Sequence, residues 1–210
     1  MERGHTERIL PMIDELLSEA GITLHSLDAI AFGRGPGSFT GVRLAATVTQ
    51  GLAFGADLGV APISDLRAVA QRAFWMSTAL TRVLVCNDAR MSEVYWACFE
   101  RGPDGLARLE GGEHVSRPTD VALPKAWPTA IGVGRGFAAY GDVLPVPSVC
   151  PTESPSDTTS FAQLLPRATE IVLLAVPDVI AGHLISAEEA IPTYLRDNVA
   201  HVAQPRNPPA

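Results

Sequence analysis

Gly33 to Gly55 reads GRGPGSFTGVRLAATVTQGLAFG, a glycine-rich turn that opens a helix. A helix N-terminus presents free N–H groups, so a turn of this kind can hold phosphate. Two templates test that. The Walker loop needs GxxxxGK followed by Ser or Thr, but Thr40 stands where the second glycine belongs and no lysine follows. The dinucleotide fingerprint GxGxxG finds Gly35 and Gly37, then Thr40 again in the third place. Both fail, which leaves weak anion binding as the most that Gly33, Gly35, Gly37 and Ser38 offer on their own. Ser38 and Thr40 could act as nucleophiles only beside a base, and the sequence places none. Arg34 and Arg43 flank the turn, as a solvated rim or as a contact for an acidic partner or RNA phosphate.

Other reactive types are scattered. His5, His25, His114, His183 and His201 include no pair spaced four apart, so no two imidazoles share a helix face as metal ligands. Cys86, Cys98 and Cys150 form no CxxC pair and are odd in number, which fits a reducing cytosol. Glu188 and Glu189 are adjacent acids of the sort that are usually solvated. Asp88, with Arg90 in a turn between two strands, reads as an Asx-turn or as a carboxylate near a phosphate. No cofactor or metal site is expected.

The elements that would position these residues follow from periodicity. Ile9, Met12, Ile13, Leu16, Leu17 and Ala20 form one apolar stripe, a first helix with Pro11 near its first turn and Gly21 as its C-cap. Leu27 to Gly33 is a buried strand. A second helix runs from about Phe39 to Phe54, capped by Ser38 and stopped by Gly55, and Ser64 caps a third. Val83–Val85 and Glu93–Glu100 are strands joined by the turn NDARMS; the second is apolar on both faces, as inside a covered sheet. From Leu106 to Cys150 the chain is rich in Gly and Pro, with a strand, a glycine turn and a short helix in TAIGVGRGFAAYGD. SPSDTTSFAQLLPRA is a helix candidate with Asp157 or Thr159 as cap. Ile171 to Gly182 is apolar but too short for a membrane span, and AQPRNPPA reads as a frayed, disordered tail over 203–210. Alternating strands and helices argue for an α/β fold.

The whole chain has 210 residues, 47% hydrophobic and 19% charged, with net charge -7, so it is globular and a poor match to a nucleic-acid backbone by itself. Gly41, Ala45, Thr49 and Ala53 recur every four residues as a face of small side chains that lets another helix come close. That helix is either the chain's own first helix or a partner's.

Several segments resemble the TsaB (YeaZ) family of tRNA threonylcarbamoyladenosine biosynthesis proteins. They are, in chain order, HTERILPMIDELL, GRGPGSFTGVRLAATVTQGLAFG, NDARMSEVYWACF, IGVGRGFAAY and PTYLRDNVA; the match extends from Thr6 to about Ala200 and is loose over Leu106 to Pro128. The resemblance implies a two-lobed actin-like ATPase (ribonuclease H-like) fold, with a first lobe over 1–78 completed by about 186–202, and a second lobe over 79–185. It implies a cytoplasmic, non-catalytic subunit that pairs with the TsaD-like catalytic homologue and a TsaE-like ATPase, meets tRNA through that complex, and can pair with itself when free. The pairing surface implied is Ile9, Met12, Ile13 and Leu16 with Gly41, Ala45, Val48, Thr49 and Leu52. A glycoprotease-like peptidase or an ATP-binding, kinase-like enzyme are the alternatives. Family members begin with a strand–turn–strand stretch before the first helix, whereas only Met1 to Gly4 precede the match here, less than one average strand of ~5–6 residues. The expectation is that the first-lobe hairpin is missing and that this form is poorly soluble or obligately paired.

Overall fold

The computed structural model describes residues 5–148 and 161–196. Five α-helices and six strands make up the regular structure among these residues, arranged around two separate sheets, in the mixed α/β class the alternating pattern implies.

The first sheet pairs β1 (Ala29–Gly33) with β2 (Gly59–Ile63) in parallel, Ala29 opposite Gly59 and Gly33 opposite Ile63. Parallel neighbours need a crossover, supplied by α2 (Phe39–Ala56). The α2 side chains Ala46 and Ala53 pack on Phe32 and Val60 from one face of this sheet. From the other face, Ile171, Leu174 and Ala175 of α5 (Ala168–Ala181) pack on Ala61 and Ile63. Ile185 extends the β2 edge by one antiparallel bridge to Val60.

The second sheet has the order β5 (Ala107–Ser116), β4 (Glu93–Arg101), β3 (Arg82–Arg90), β6 (Ile131–Val133), antiparallel except for β3 and β6. Val83, Val85, Ala97 and Phe99 point to one face, where Leu66, Val69 and Phe74 of α3 (Asp65–Met76) cover them. Leu84, Cys86, Val94 and Cys98 point to the other, covered by Trp127, Leu144 and Phe137 of α4 (Gly136–Tyr140). Period-two alternation with both sides apolar therefore gives a central hairpin buried on both faces, as the composition of β4 implies. Arg101 fastens this sheet to the end of α3: its guanidinium donates to the carbonyls of Leu80 (2.9 Å), Ser77 (2.7 Å) and Phe74. A cation there also meets the negative end of the helix dipole.

Several elements depart from the sequence expectations. Pro11 lies inside α1 (His5–Ala20) rather than in its first turn, because the helix is already under way at His5. α2 runs through Gly55 to Ala56, and its left-handed cap is Asp57 (φ 56°), a residue type whose short polar side chain tolerates that conformation. The NDARMS turn is shorter than its composition suggests: β3 continues to Arg90, leaving Met91 and Ser92 to turn with φ of 56° and 59°. β5 is a ten-residue strand in a stretch rich in glycine, and the apolar run after Ile171 is α5. The candidate helix before it contributes one 3₁₀ turn, Phe161–Gln163, while its cap candidates Asp157 and Thr159 lie outside the described residues, as do Cys150, His201 and the expected tail.

Candidate functional site

The glycine turn is closed around a carboxylate. Ser38 caps α2 by accepting from the Gly41 N–H at 3.2 Å, and Ser64 caps α3 by accepting from the Arg67 N–H at 3.1 Å. The residue after the second cap, Asp65, projects into the turn: a β-carbon on Gly33 would sit 2.1 Å from its Oδ1 and one on Gly37 3.5 Å from its Oδ2. Gly35 has φ 95°, where side chains are strained, and its carbonyl accepts from the Asp65 N–H at 2.9 Å. Burial, the largest influence, pushes the Asp65 carboxyl up to about 7; Arg34 pulls it down, Glu113 adds to the rise, and a hydrogen bond from the Gly35 backbone pulls it down.

A polar joint adjoins the turn. Arg34 donates to Glu113 Oε2 of β5 at 2.9 Å and to Thr193 Oγ1 at 2.7 Å, and its carbonyl accepts from the Thr193 N–H at 2.8 Å. The Ser64 hydroxyl donates to the other Glu113 oxygen. Arg34 is therefore an internal tie and not a solvated rim. Further along the same segment, Arg196 donates to Glu93 at 3.0 Å and to the Ala89 carbonyl at 3.1 Å.

The residues assigned to a pairing surface divide into two groups. Ile9, Ile13, Gly41, Ala45, Val48, Thr49 and Leu52 line one groove of about 480 Å³ along β1, together with Gly33 of the glycine turn, Leu27, Ile30, Pro166, Ile171 and Val172. Among the described residues β1 has a hydrogen-bonded neighbour on one side only, β2, and no α1 side chain is fully buried. Met12 and Leu16 lie outside the groove, 50% and 62% exposed. The small-residue face of α2 turns inward at its far end, where Thr49 and Ala53 are buried, and Ala45 packs against the core between α2 and β1–β2.

Several of the remaining reactive residues have structural partners. Asp88 Oδ1 accepts from the Arg90 N–H at 2.9 Å, the Asx-turn geometry. Glu189 Oε2 accepts from the Ser186 N–H at 3.0 Å. His114 stacks on Trp96 with ring centroids 4.5 Å apart. Burial raises the thiols of both Cys86 and Cys98, the latter to about 12, which makes them poor nucleophiles. Among the described residues no group of three or more His, Cys, Asp or Glu converges on one point, and no helix is long and apolar enough to cross a membrane. The sequence reasoning missed Asp65, Ser64 and Glu113 as neighbours of the turn. The local signal was an acid directly after a cap serine in an otherwise apolar run.

Comparison with known proteins places these features in context. Residues 1–204 match the family model described as TsaD: tRNA N6-adenosine threonylcarbamoyltransferase. The chain is 40% identical over 203 residues to the tRNA threonylcarbamoyladenosine biosynthesis protein TsaB of Escherichia coli (strain K12), spanning 94% of this chain and 83% of that one. It is 43% identical over 205 residues to the protein of the same name from Haemophilus influenzae, spanning 94% and 82%. A crystal structure from Pseudomonas aeruginosa, of an uncharacterized protein with similarity to peptidase YEAZ, superposes with a TM-score of 0.80 at 43% identity, covering 92% of this chain and 85% of that one.

Proposed function

Since the chain belongs to the TsaB (YeaZ) family, we propose that it is a non-catalytic subunit in the synthesis of N6-threonylcarbamoyladenosine in tRNA. In this reading it binds a TsaD-like catalytic homologue and supports it together with a TsaE-like ATPase, in the cytoplasm. The fold is read as a two-lobed actin-like ATPase fold, with lobes over 1–78 plus about 186–202 and over 79–185. The work of the chain is to present a surface to a working relative, and tRNA is met through the assembled complex.

The observation that carries this reading is the outward side of α1. Met12 and Leu16 stand one helical turn apart and uncovered, on a helix whose other apolar side, Ile9 and Ile13, faces the groove against α2. Exposed apolar rows beside an apolar groove mark association surfaces. Reactive groups point the same way: Glu113 beside the turn is engaged by Arg34 and Ser64, and the thiols of Cys86 and Cys98 are buried in the core of the second sheet.

The test is capture of a purified TsaD-like protein by this chain, followed by a tRNA-modification assay with the TsaE-like ATPase added. Leu16→Glu should weaken capture by roughly tenfold or more, since burying an unpaired charge is costly. Ala45→Glu is the poorer probe, because Ala45 also packs on the chain's own core. Capture and modification unchanged by Leu16→Glu and Met12→Glu together would overturn the surface, and threonylcarbamoyl transfer by this chain alone would overturn the non-catalytic role.

A further inference from the structure

A second groove, distinct from the one along β1, lies where the start of α2 meets β4 and the segment after Ile191. Its volume is about 540 Å³, within the range of small-ligand sites, and its walls include Phe39, Arg43, Tyr95, Thr193, Tyr194 and Arg196. We propose that this groove takes one unpaired nucleotide of an RNA strand, its base stacked on the aromatic rings and its phosphate held by Arg43.

Three observations carry the assignment. The rings of Phe39 and Tyr194 lie with centroids 6.3 Å apart at 42°, and they stay 59% and 49% exposed. Large aromatic faces left in water at the mouth of a cavity fit a flat partner, and every nucleobase has such a face. Arg43 is held between them: its guanidinium carbon is 3.7 Å from the Phe39 centroid and 5.8 Å from that of Tyr194, and its Nε donates to the Tyr194 hydroxyl at 2.9 Å. Among the described residues no carboxylate lies within ion-pair distance of Arg43, whereas Arg196 is already paired with Glu93. Arg43 is thus a cation fixed beside two ring faces, with no carboxylate paired to it among the described residues. A planar ring that carries a phosphate satisfies both at once.

The acidity of the chain favours this form of contact over a backbone grip. A single stacked nucleotide with one neutralised phosphate needs no extended positive field, so it is compatible with a net charge of -7. The inference rests on the proposed role in tRNA modification, and it assigns this chain a direct, one-nucleotide touch on the RNA that the partner mainly holds.

The experiment titrates the purified chain with a fluorescein-labelled single-stranded RNA hexamer at low salt and follows anisotropy. Saturable binding is expected. Phe39→Leu and Tyr194→Leu, which keep apolar bulk at exposed positions, should each weaken it about tenfold, in line with the loss of one base–aromatic stack. Arg43→Gln should lower the slope of log K against log salt by about 0.7 for the single phosphate lost. An absence of binding, or binding indifferent to all three changes, overturns the groove. Equal binding of the same sequence as a duplex overturns stacking of an unpaired base, and displacement by free uridine or adenosine monophosphate at equal nucleotide concentration overturns the commitment to a strand. Partner capture, tested through Leu16, does not touch these residues, so failure here with capture intact removes only the groove, and failure of capture with RNA binding intact removes only the partnership.

Discussion

The Asp65 carboxylate occupies the space that a β-carbon on Gly33 would need, with its Oδ1 2.1 Å from that position. The glycines of the turn therefore serve a purpose that no phosphate template describes: they let the backbone wrap an acid at the head of α3. The acid in turn receives the Gly35 backbone hydrogen bond and lies near Arg34 and Glu113, so turn, helix and β5 share one electrostatic neighbourhood.

That neighbourhood gives stability a pH dependence. The folded carboxyl of Asp65 keeps its proton up to about 7, while in the unfolded chain it is lost near its ordinary value of 3.8. Between those values the folded state binds the extra proton, so stability falls as pH rises from about 4 to about 7 and levels off above. Asp65→Asn, which cannot ionise, should be more stable than the parent at pH 8 by roughly 3 kcal/mol and equal to it near pH 4. Chemical denaturation of both forms across that range checks it, and a stability difference between variant and parent that does not grow from pH 4 to 8 contradicts it.

Gln71 is fully buried, and both ends of its amide are used: Nε2 donates to the Gly105 carbonyl at 3.1 Å, and Oε1 accepts from the Ala107 N–H at 2.7 Å. It holds the turn before β5 against α3. Gln71→Met keeps most of the volume but strands both backbone groups, at a cost of roughly 2–4 kcal/mol. A shift in urea midpoint with unchanged m-value is the expected signature, and a midpoint within error of the parent is the contrary one.

At the start of α5, Glu170 is fully buried and accepts from Arg167 Nε, at 3.1 Å to Oε1 and 3.2 Å to Oε2. Arg167 is half exposed, so solvent screens part of the pair. Arg167→Ala should still cost about 2 kcal/mol, because it leaves a buried carboxylate without its guanidinium partner. Adding Glu170→Gln should recover part of that loss. A double-mutant cycle measures the coupling, and a cycle that closes at zero means the pair contributes nothing.

What was legible in the sequence was what depends on neighbours along the chain. The caps at Gly21, Ser38 and Ser64 are each signalled by a residue type beside an apolar pattern. The two-faced β4 follows from unbroken apolar character. β5 escaped because an edge strand with its outer residues in water carries polar side chains and a Gly111–Gly112 pair, which read as loop. α5 escaped because it is apolar on almost every side, with Val172, Val176 and Ile180 exposed, so no amphipathic stripe marks it as a helix. The meeting of Arg34, Ser64, Glu113 and Thr193 could not be read at all, since residues so far apart are joined only by the folded sheets. The pairing surface that the resemblance implies joins side chains of different exposure, Met12 and Leu16 facing water and Thr49 buried, a difference that chain spacing alone does not display.

Arg34 grips Glu113 and Thr193 at once, and Arg196 then fastens the same segment to the β3–β4 turn. A ribosome delivers these pieces in the order 34, 113, 193. Until the last emerges, the guanidinium has Glu113 but lacks Thr193. The nascent chain can tie the two sheets through Glu113 first, and the grip on Arg34 is completed only after residue 193 has been made.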